Sequence, residues 1–260
     1  MMPSSLLTGV AGDVLTLTLN RPQARNALDG ALIAQLTDAF ANVPPQVRTV
    51  VLRGAGKSFC AGADLSWMRA APGADADQAG ANSATSLQRL FETIAHAPQV
   101  VVAVAQGPVR GGGAGLLCVA DVVLAGDSLT VAFPEATLGL IPALIAPYVV
   151  ARIGLGRARY LFLTSEVVEA EAACAMGLVH ERVADEDLDA CLTHTLDRLH
   201  RNGPHAQSAT KALLLALSEP GEQDVQALCA RALDTVRAHP EAQEGCSAFL
   251  QRREPSWRRA

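Results

Sequence analysis

Positive charge is scarce in this 260-residue chain: 21 Lys and Arg stand against 26 Asp and Glu, for a formal net charge of -5. That balance provides no basic face for a nucleic acid or an anionic bilayer, so neither is expected as a principal partner, and an anionic ligand would need a local site. The six cysteines, at 60, 118, 174, 191, 229 and 246, form no CxxC pair. Several lie in apolar runs such as "GLLCVAD", so they read as reduced, buried thiols of a cytoplasmic protein. The six histidines include no HExxH and no Cys/His ligand set, and no metal site is expected. No GxSxG, Walker A or GxGxxG pattern occurs, which removes the motif basis for a serine-hydrolase elbow, a P-loop or a dinucleotide fold. Long apolar runs are missing too. The uncharged stretch between Glu135 and Arg152 is too short to span a bilayer and contains Pro142 and Pro147. The opening "MMPSSLLTGVAGDVLTLTL" lacks the basic start of a secretory leader.

What the chain does have is a hydrophobic fraction of 50%, ample for the core of one large domain or of one domain with an appendage. From Asp13, "DVLTLTLNRP" alternates as a half-buried strand. "NALDGALIAQLTDAF" then shows helical spacing, with Asn26 or Asp29 as its cap. "RTVVLRG", "VVVAVAQG" and "DVVLAG" read as further strands, the second buried on both faces. Strands separated by helical stretches predict an α/β fold with parallel pairing. Residues 69–86 lack periodicity and predict a loop, a candidate lid, ahead of the helix "LQRLFETIAH". Beyond Val167 the strand signal fades and helical patterns predominate, predicting a helical C-terminal region.

Three segments carry chemical interest. "RGGGAGLLCVAD", Arg110 to Asp121, sets three glycines against an apolar run, although interior glycine costs about 0.5–1 kcal/mol relative to Ala. Either the turn packs closely on a neighbour, or a ligand approaches free N–H groups in the first turn of a helix. "GAGKSFCAGADLSWM", Gly54 to Met68, also follows a strand and leads into a short helix, offering a second such turn. In "VAFPEATLGLIP", Glu135 is the only charge between Asp127 and Arg152. It either sits desolvated with a raised pKa suited to proton transfer, or caps the turn after Pro134 and faces water.

Together "NRPQARNAL", "GKSFCAGADL", "GPVRGGGAGLLCVAD" and "FPEATLGLIP" resemble the enoyl-CoA hydratase/isomerase, or crotonase, superfamily. The resemblance runs from Asp13 to Val183. It implies a spiral of ββα units in residues 1–198 and a helical oligomerisation region in residues 199–260, building homotrimers often paired into hexamers. It also implies an acyl-CoA thioester as substrate, with coenzyme A arriving as part of it and no separate cofactor. The backbone N–H groups of Ala63 and Gly112 would hold the thioester oxygen, and Glu135 would move the proton. Gly115 stands where many hydratases carry a first glutamate, so only one of the family's two carboxylate positions is filled.

The same resemblance assigns further contacts. Arg25 would lie near the nucleotide phosphates, the backbone of Ala61, Asp64 and Leu65 near the adenine, and Trp67 and Met68 along the acyl channel. Gly111 and Gly115 would border the substrate, and if the acyl chain carries a distal carboxylate, Arg110 beside the glycines is one candidate for its cation. Arg252 and Arg253 resemble a basic stretch that reaches a neighbouring subunit's coenzyme. "AGADLSWM" and "LGLIPALIAPYVVARIG" look like the branched-glutaconyl type of hydratase, acting on 3-methylglutaconyl-CoA or isohexenylglutaconyl-CoA. Hydration of a 2-enoyl-CoA is the expected reaction, with Δ3,Δ2-isomerisation as the alternative. Thioester hydrolysis is disfavoured because Ala143 follows Pro142 where hydrolases carry aspartate, and an intact Glu135 argues against a non-catalytic coenzyme-binding protein.

Overall fold

The computed structural model describes residues 4–68, 76–218 and 224–258. Its strands are β1 (Leu6–Ala11), β2 (Val14–Leu19), β3 (Thr49–Gly54), β4 (Val100–Ala105), β5 (Pro108–Arg110), β6 (Val122–Gly126), β7 (Thr130–Ala132), β8 (Val168–Glu169) and β9 (Glu181–Val183). Its helices are α1 (Gly30–Ala41), α2 (Leu65–Met68), α3 (Ala76–Ala95), α4 (Gly112–Val119), α5 (Ala146–Thr164), α6 (Ala170–Ala175), α7 (Leu188–His200), α8 (Pro204–Ser218), α9 (Val225–Ala238) and α10 (Pro240–Gln251). Six strands form one sheet in the order β1-β2-β3-β4-β6-β9, and β5-β7-β8 form a smaller one. The chain crosses repeatedly between the two, as in β4, β5 and α4, giving the α/β spiral expected from the sequence.

Alternation explains which face each strand residue meets. Val50 and Leu52 of β3, with Val101, Ala103 and Ala105 of β4, enter the main core beside α1, α3 and α4. Their neighbours Val51, Val100, Val102 and Val104 face a second cluster closed by Leu188 and Cys191 of α7. Both faces are therefore covered, as parallel strands require. α1 begins at Asp29, whose carboxylate accepts the Leu32 N–H at 2.8 Å. Asn26 is instead buried with a left-handed φ of 56°, and its side-chain amide bonds the carbonyls of Ala55 and Ser58.

Several boundaries differ from expectation. β1 pairs antiparallel with β2, a hairpin hidden in the sequence because every residue of this edge strand after Leu6 is exposed. β8 and β9 continue the sheets beyond Val167, where strands of two and three residues leave no periodic signal. The expected loop over 69–86 is already helix from Ala76, because Ala-rich sequence supports helix without amphipathic pattern. Residues 69–75 lie outside the described residues. The boundary expected after residue 198 falls inside α7. Beyond it, Lys211 of α8 reaches Asp121 at 2.6 Å, and Arg48 bonds the carbonyls of Asn202 and Trp257, tying the C-terminal helices to the core. No helix among the described residues is long and apolar enough to cross a membrane.

Candidate active site

The turn after β3 is held by a short parallel ladder. Ala61 N–H donates to the Arg25 carbonyl at 2.9 Å, Leu28 N–H to Gly62 at 2.8 Å, and Asp64 N–H to Leu28 at 2.9 Å. This alternation turns the Ala63 N–H away from the ladder, and no hydrogen-bond acceptor meets it among the described residues. The second turn reaches α4 through Gly111, whose φ of 45° and ψ of -116° suit only glycine. Gly112 is the first residue of that helix, so its N–H has no intrahelical partner. A Cβ built on Gly112 would stand 3.7 Å from the Ala63 nitrogen, so the two free amides border one space.

Both readings of the glycine run therefore hold, at different residues. Gly113 packs so closely that a Cβ would run into the Cys60 carbonyl, whereas Gly112 leaves ordinary van der Waals room. Cys60 itself is inert here, because burial pushes its thiol up to about 12.

Glu135 completes the group. Phe133, buried against Phe162 with ring centroids 5.1 Å apart, anchors the 3₁₀ turn Pro134–Leu138 that carries it. The carboxyl sits against Gly111, where a Cβ would lie 2.8 Å from Oε1, and its Oε2 is buried with no hydrogen-bond partner. Burial raises its pKa, partly offset by a hydrogen bond to its own backbone. All three elements line a cavity of about 200 Å³, whose remaining walls are mostly apolar: Leu65, Leu87, Leu138 and the segment Leu140–Ile145. Ile141, 79% exposed, stands at its mouth. Such a site offers two hydrogen-bond donors, one carboxylate and a dry wall for a hydrocarbon chain.

Of the residues expected here, Ala61, Ala63, Leu65, Arg110, Gly111, Gly112 and Glu135 line the cavity. Gly115 does not; it lies beneath, where a Cβ would run into Ile145 and come within 2.9 Å of the Phe91 ring. Trp67 is also outside the lining, with its indole against Gly30 and the core. The Met68 side chain lies outside the described residues. Asp64 turns its carboxylate to Ser66 of α2, at 3.0 Å to the N–H, and to Arg21 at 3.1 Å, which hold its pKa low, the Ser66 hydroxyl most strongly. Arg25 is exposed, with a left-handed φ of 50°. Arg110 Nη1 donates to the Val109 and Thr130 carbonyls at 2.9 and 2.7 Å, and burial, then the Arg25 charge, lowers its pKa. Arg253 forms a two-pronged pair with Glu244 of its own chain, both contacts 2.7 Å, and its neighbour Arg252 closes α10 with a left-handed φ of 54°.

The sequence reading missed two groups. Arg21 ties the two halves of the ladder, reaching the Ala27 carbonyl at 2.5 Å and both Asp29 and Asp64 at 3.1 Å. Its signal, the Arg of "NRPQARNAL", was present but unassigned. Leu87, from α3, comes from a remote element and carries no local mark. No cluster of three or more His, Cys, Asp or Glu suited to a metal ion occurs among the described residues.

The sequence model for the enoyl-CoA hydratase/isomerase family matches residues 9–260. A crystal structure of an enoyl-CoA hydratase/isomerase from Marinobacter aquaeolei superposes with a TM-score of 0.90 at 36% identity, covering 98% of this chain and 99% of that one. Pseudomonas aeruginosa AtuE superposes with a TM-score of 0.91 at 41% identity, covering 98% and 100%. The 2,3-dehydroadipyl-CoA hydratase of Escherichia coli is 34% identical, over 98% of this chain and 99% of its own. Two glycine-gated amides beside one desolvated carboxylate thus sit in a chain that belongs, along nearly its whole length, to the enoyl-CoA hydratase/isomerase family.

Proposed function

We propose that the protein hydrates a 2-enoyl-CoA, with Glu135 as the sole acid–base group and the N–H groups of Ala63 and Gly112 receiving the thioester oxygen. The observation that carries this reading is the Glu135 carboxyl: buried at Oε2, unpaired, and set beside two amides that also lack partners. In the forward step Glu135 takes a proton from water as the water oxygen bonds to C3. The electron pair of the C2–C3 double bond moves onto the thioester oxygen, forming an enolate between the two amides. Glu135 then returns the proton to C2, so that H and OH are added and the carboxylate is regenerated. Donors already in place lower the cost of that oxyanion, and losing one typically costs about 10²–10³ in rate.

A second reading is favoured by one observation. The space beside Gly115 is filled by Ile145 and Phe91, leaving no room there for another acid. A single base suffices for Δ3,Δ2-isomerisation, in which Glu135 would remove a proton from C2 of a 3-enoyl-CoA and return it to C4. Incubation with crotonyl-CoA, a 3-enoyl-CoA and 3-methylglutaconyl-CoA separates the two: hydration adds the mass of water and isomerisation adds none. Product without added water from every substrate would overturn hydration.

The acyl group we assign is a branched glutaconyl type. The apolar segment Leu140–Ile145 fits a hydrocarbon branch, and Arg110, at the cavity edge, has no carboxylate partner among the described residues. We assign Arg25 to the coenzyme phosphates, since it is exposed and in no ion pair among the described residues. Self-association as trimers or hexamers is supported by exposed apolar residues of the C-terminal helices, among them Leu214, Leu233, Phe249 and Leu250.

A further inference from the structure

We infer that Arg152 is a positioning residue for the Gly112 amide, its guanidinium clamping the carbonyl end of α4. The inference rests on the reading of Ala63 and Gly112 as the pair that holds the thioester oxygen. α4 has eight residues, about two turns and about 12 Å of length, and it opens on Gly112 and Gly113, which give backbone freedom where placement matters. Its last carbonyls have no partner within the helix. Arg152 supplies one: Nη2 donates to Cys118 at 3.1 Å and to Ala120, with Leu117 at 3.4 Å.

The clamp connects two walls of the site. Arg152 belongs to α5, whose N-terminal end at Ile145 lines the cavity. One side chain therefore sets the distance between the helix that carries the amide and the helix that carries the apolar wall. The guanidinium also packs on His180: Nη1 lies 3.1 Å from Nε2, and Nδ1 of the same ring lies 2.9 Å from the Val123 nitrogen of β6, with a neutral ring accepting a hydrogen bond at only one of the two. Burial, then the Arg152 charge, lowers the pKa of His180, which keeps the ring neutral beside the cation.

Arg152 forms no salt bridge with a carboxylate among the described residues. A half-buried cation directed at carbonyls is a poor choice if only packing is required, since its desolvation must be offset by good geometry. A planar fork fixes direction as a lysine would not.

The test compares Arg152→Ala, Arg152→Lys and Gly112→Ala with the wild type on whichever enoyl-CoA the wild type turns over. The readouts are kcat, KM, the Kd for coenzyme A and thermal melting. Arg152→Ala is expected to lower kcat about tenfold or more, on the scale where a 1 Å misplacement costs about 10²-fold. The coenzyme Kd should stay within about twofold, and millimolar guanidinium should restore part of the lost kcat. Arg152→Lys, which keeps the cation and the fold but reaches fewer carbonyls, should fall between. A folded Arg152→Ala or Arg152→Lys variant that melts lower yet keeps wild-type kcat would overturn the inference. So would a kcat loss in Arg152→Ala that guanidinium leaves untouched. Gly112→Ala separates the two claims: wild-type turnover there removes the oxyanion reading itself, whereas impaired turnover with an unimpaired Arg152→Ala removes only the clamp.

Discussion

The two ends of the parallel sheet differ in what their polar groups face: ion partners at one, a cavity at the other. At the amino ends of β3, β4 and β6, charge is paired: Arg48 lies 3.7 Å from Asp13, and Lys211 lies 2.6 Å from Asp121, whose carboxylate also takes the Val101 N–H at 2.7 Å. His200 bridges Asp13 and Thr49 at 3.6 and 3.2 Å. Beyond the carboxyl end of β3, and of β5 and β7 in the smaller sheet, the chain enters turns that leave two amides and one carboxylate oxygen without partners among the described residues. Unpaired buried groups cost stability, and the amino end has two of its own, Arg48 Nε and Gln99 Oε1; what sets the carboxyl end apart is that its unpaired groups border a cavity. Open parallel sheets also place their ligands at that end.

Glu135→Gln gives the largest expected effect. Turnover should fall about 10²–10⁴-fold while the Kd for coenzyme A stays unchanged, as measured by steady-state kinetics and equilibrium binding. Stability should move the other way. The folded-state pKa of Glu135 is raised, so the favourable contribution of its protonated form is full below the ordinary carboxylate pKa and is lost as pH rises through the raised value. Relative to the wild type, the Gln variant should therefore melt higher near neutral pH, and the gap should close near about pH 4. A lower melting temperature at neutral pH would place Glu135 among the paired, structural charges of the other end.

Neighbouring glycines sharpen the comparison within the carboxyl end. Gly112→Ala fits, its nearest atoms being 3.6–3.9 Å away, but the methyl stands in front of the Ala63 amide. Turnover should drop about 10²–10³-fold with little change in melting. Gly113→Ala should destabilise by about 1–3 kcal/mol, because its methyl meets the Cys60 carbonyl. Equal melting losses in the two variants would mean that both glycines serve only packing.

The pH profile of kcat/KM is a gentler probe. Glu135 works as a base when deprotonated, so activity should be lost as pH falls through its raised pKa, with an acid limb above the ordinary Glu value of about 4.3. A limb at or below that value would indicate a solvated carboxylate.

Much of the carboxyl end was legible because its chemistry is local. Gly62, Gly111 and Glu135 announce themselves as backbone conformation or as a lone charge in apolar sequence. The strands β2, β3, β4 and β6 were legible through alternation or β-branched runs. What escaped depends on partners remote in sequence. Gly115 reads as one more glycine until Phe91 and Ile145 arrive from other helices, and Trp67 reads as a channel residue until Gly30 is seen to receive it. Arg152 acts on backbone carbonyls, which leave no complementary residue for a sequence pattern to reveal, and Arg21 joins a carbonyl to two carboxylates, Asp29 and the remote Asp64. The lone Asp121 of "GLLCVAD" likewise gave no hint that its partner is Lys211, ninety positions away.

That pair yields the smallest expected effect on activity. Asp121 accepts from both Lys211 and the Val101 amide, whereas Lys211 also donates to the Gln99 carbonyl at 2.6 Å. Asp121→Ala therefore strands two donors and should cost about 1–3 kcal/mol in chemical denaturation. Lys211→Met removes one donor from a carboxylate that keeps its amide, and should cost less. Neither residue reaches the cavity, so kcat of the folded enzyme should stay within about twofold. Asp121 follows α4 by only two residues, however, and the His180 ring lies between β6 and Arg152. A kcat loss in Asp121→Ala larger than its stability loss would show that the paired end sets the placement of Gly112, and the two ends of the sheet would then be one device.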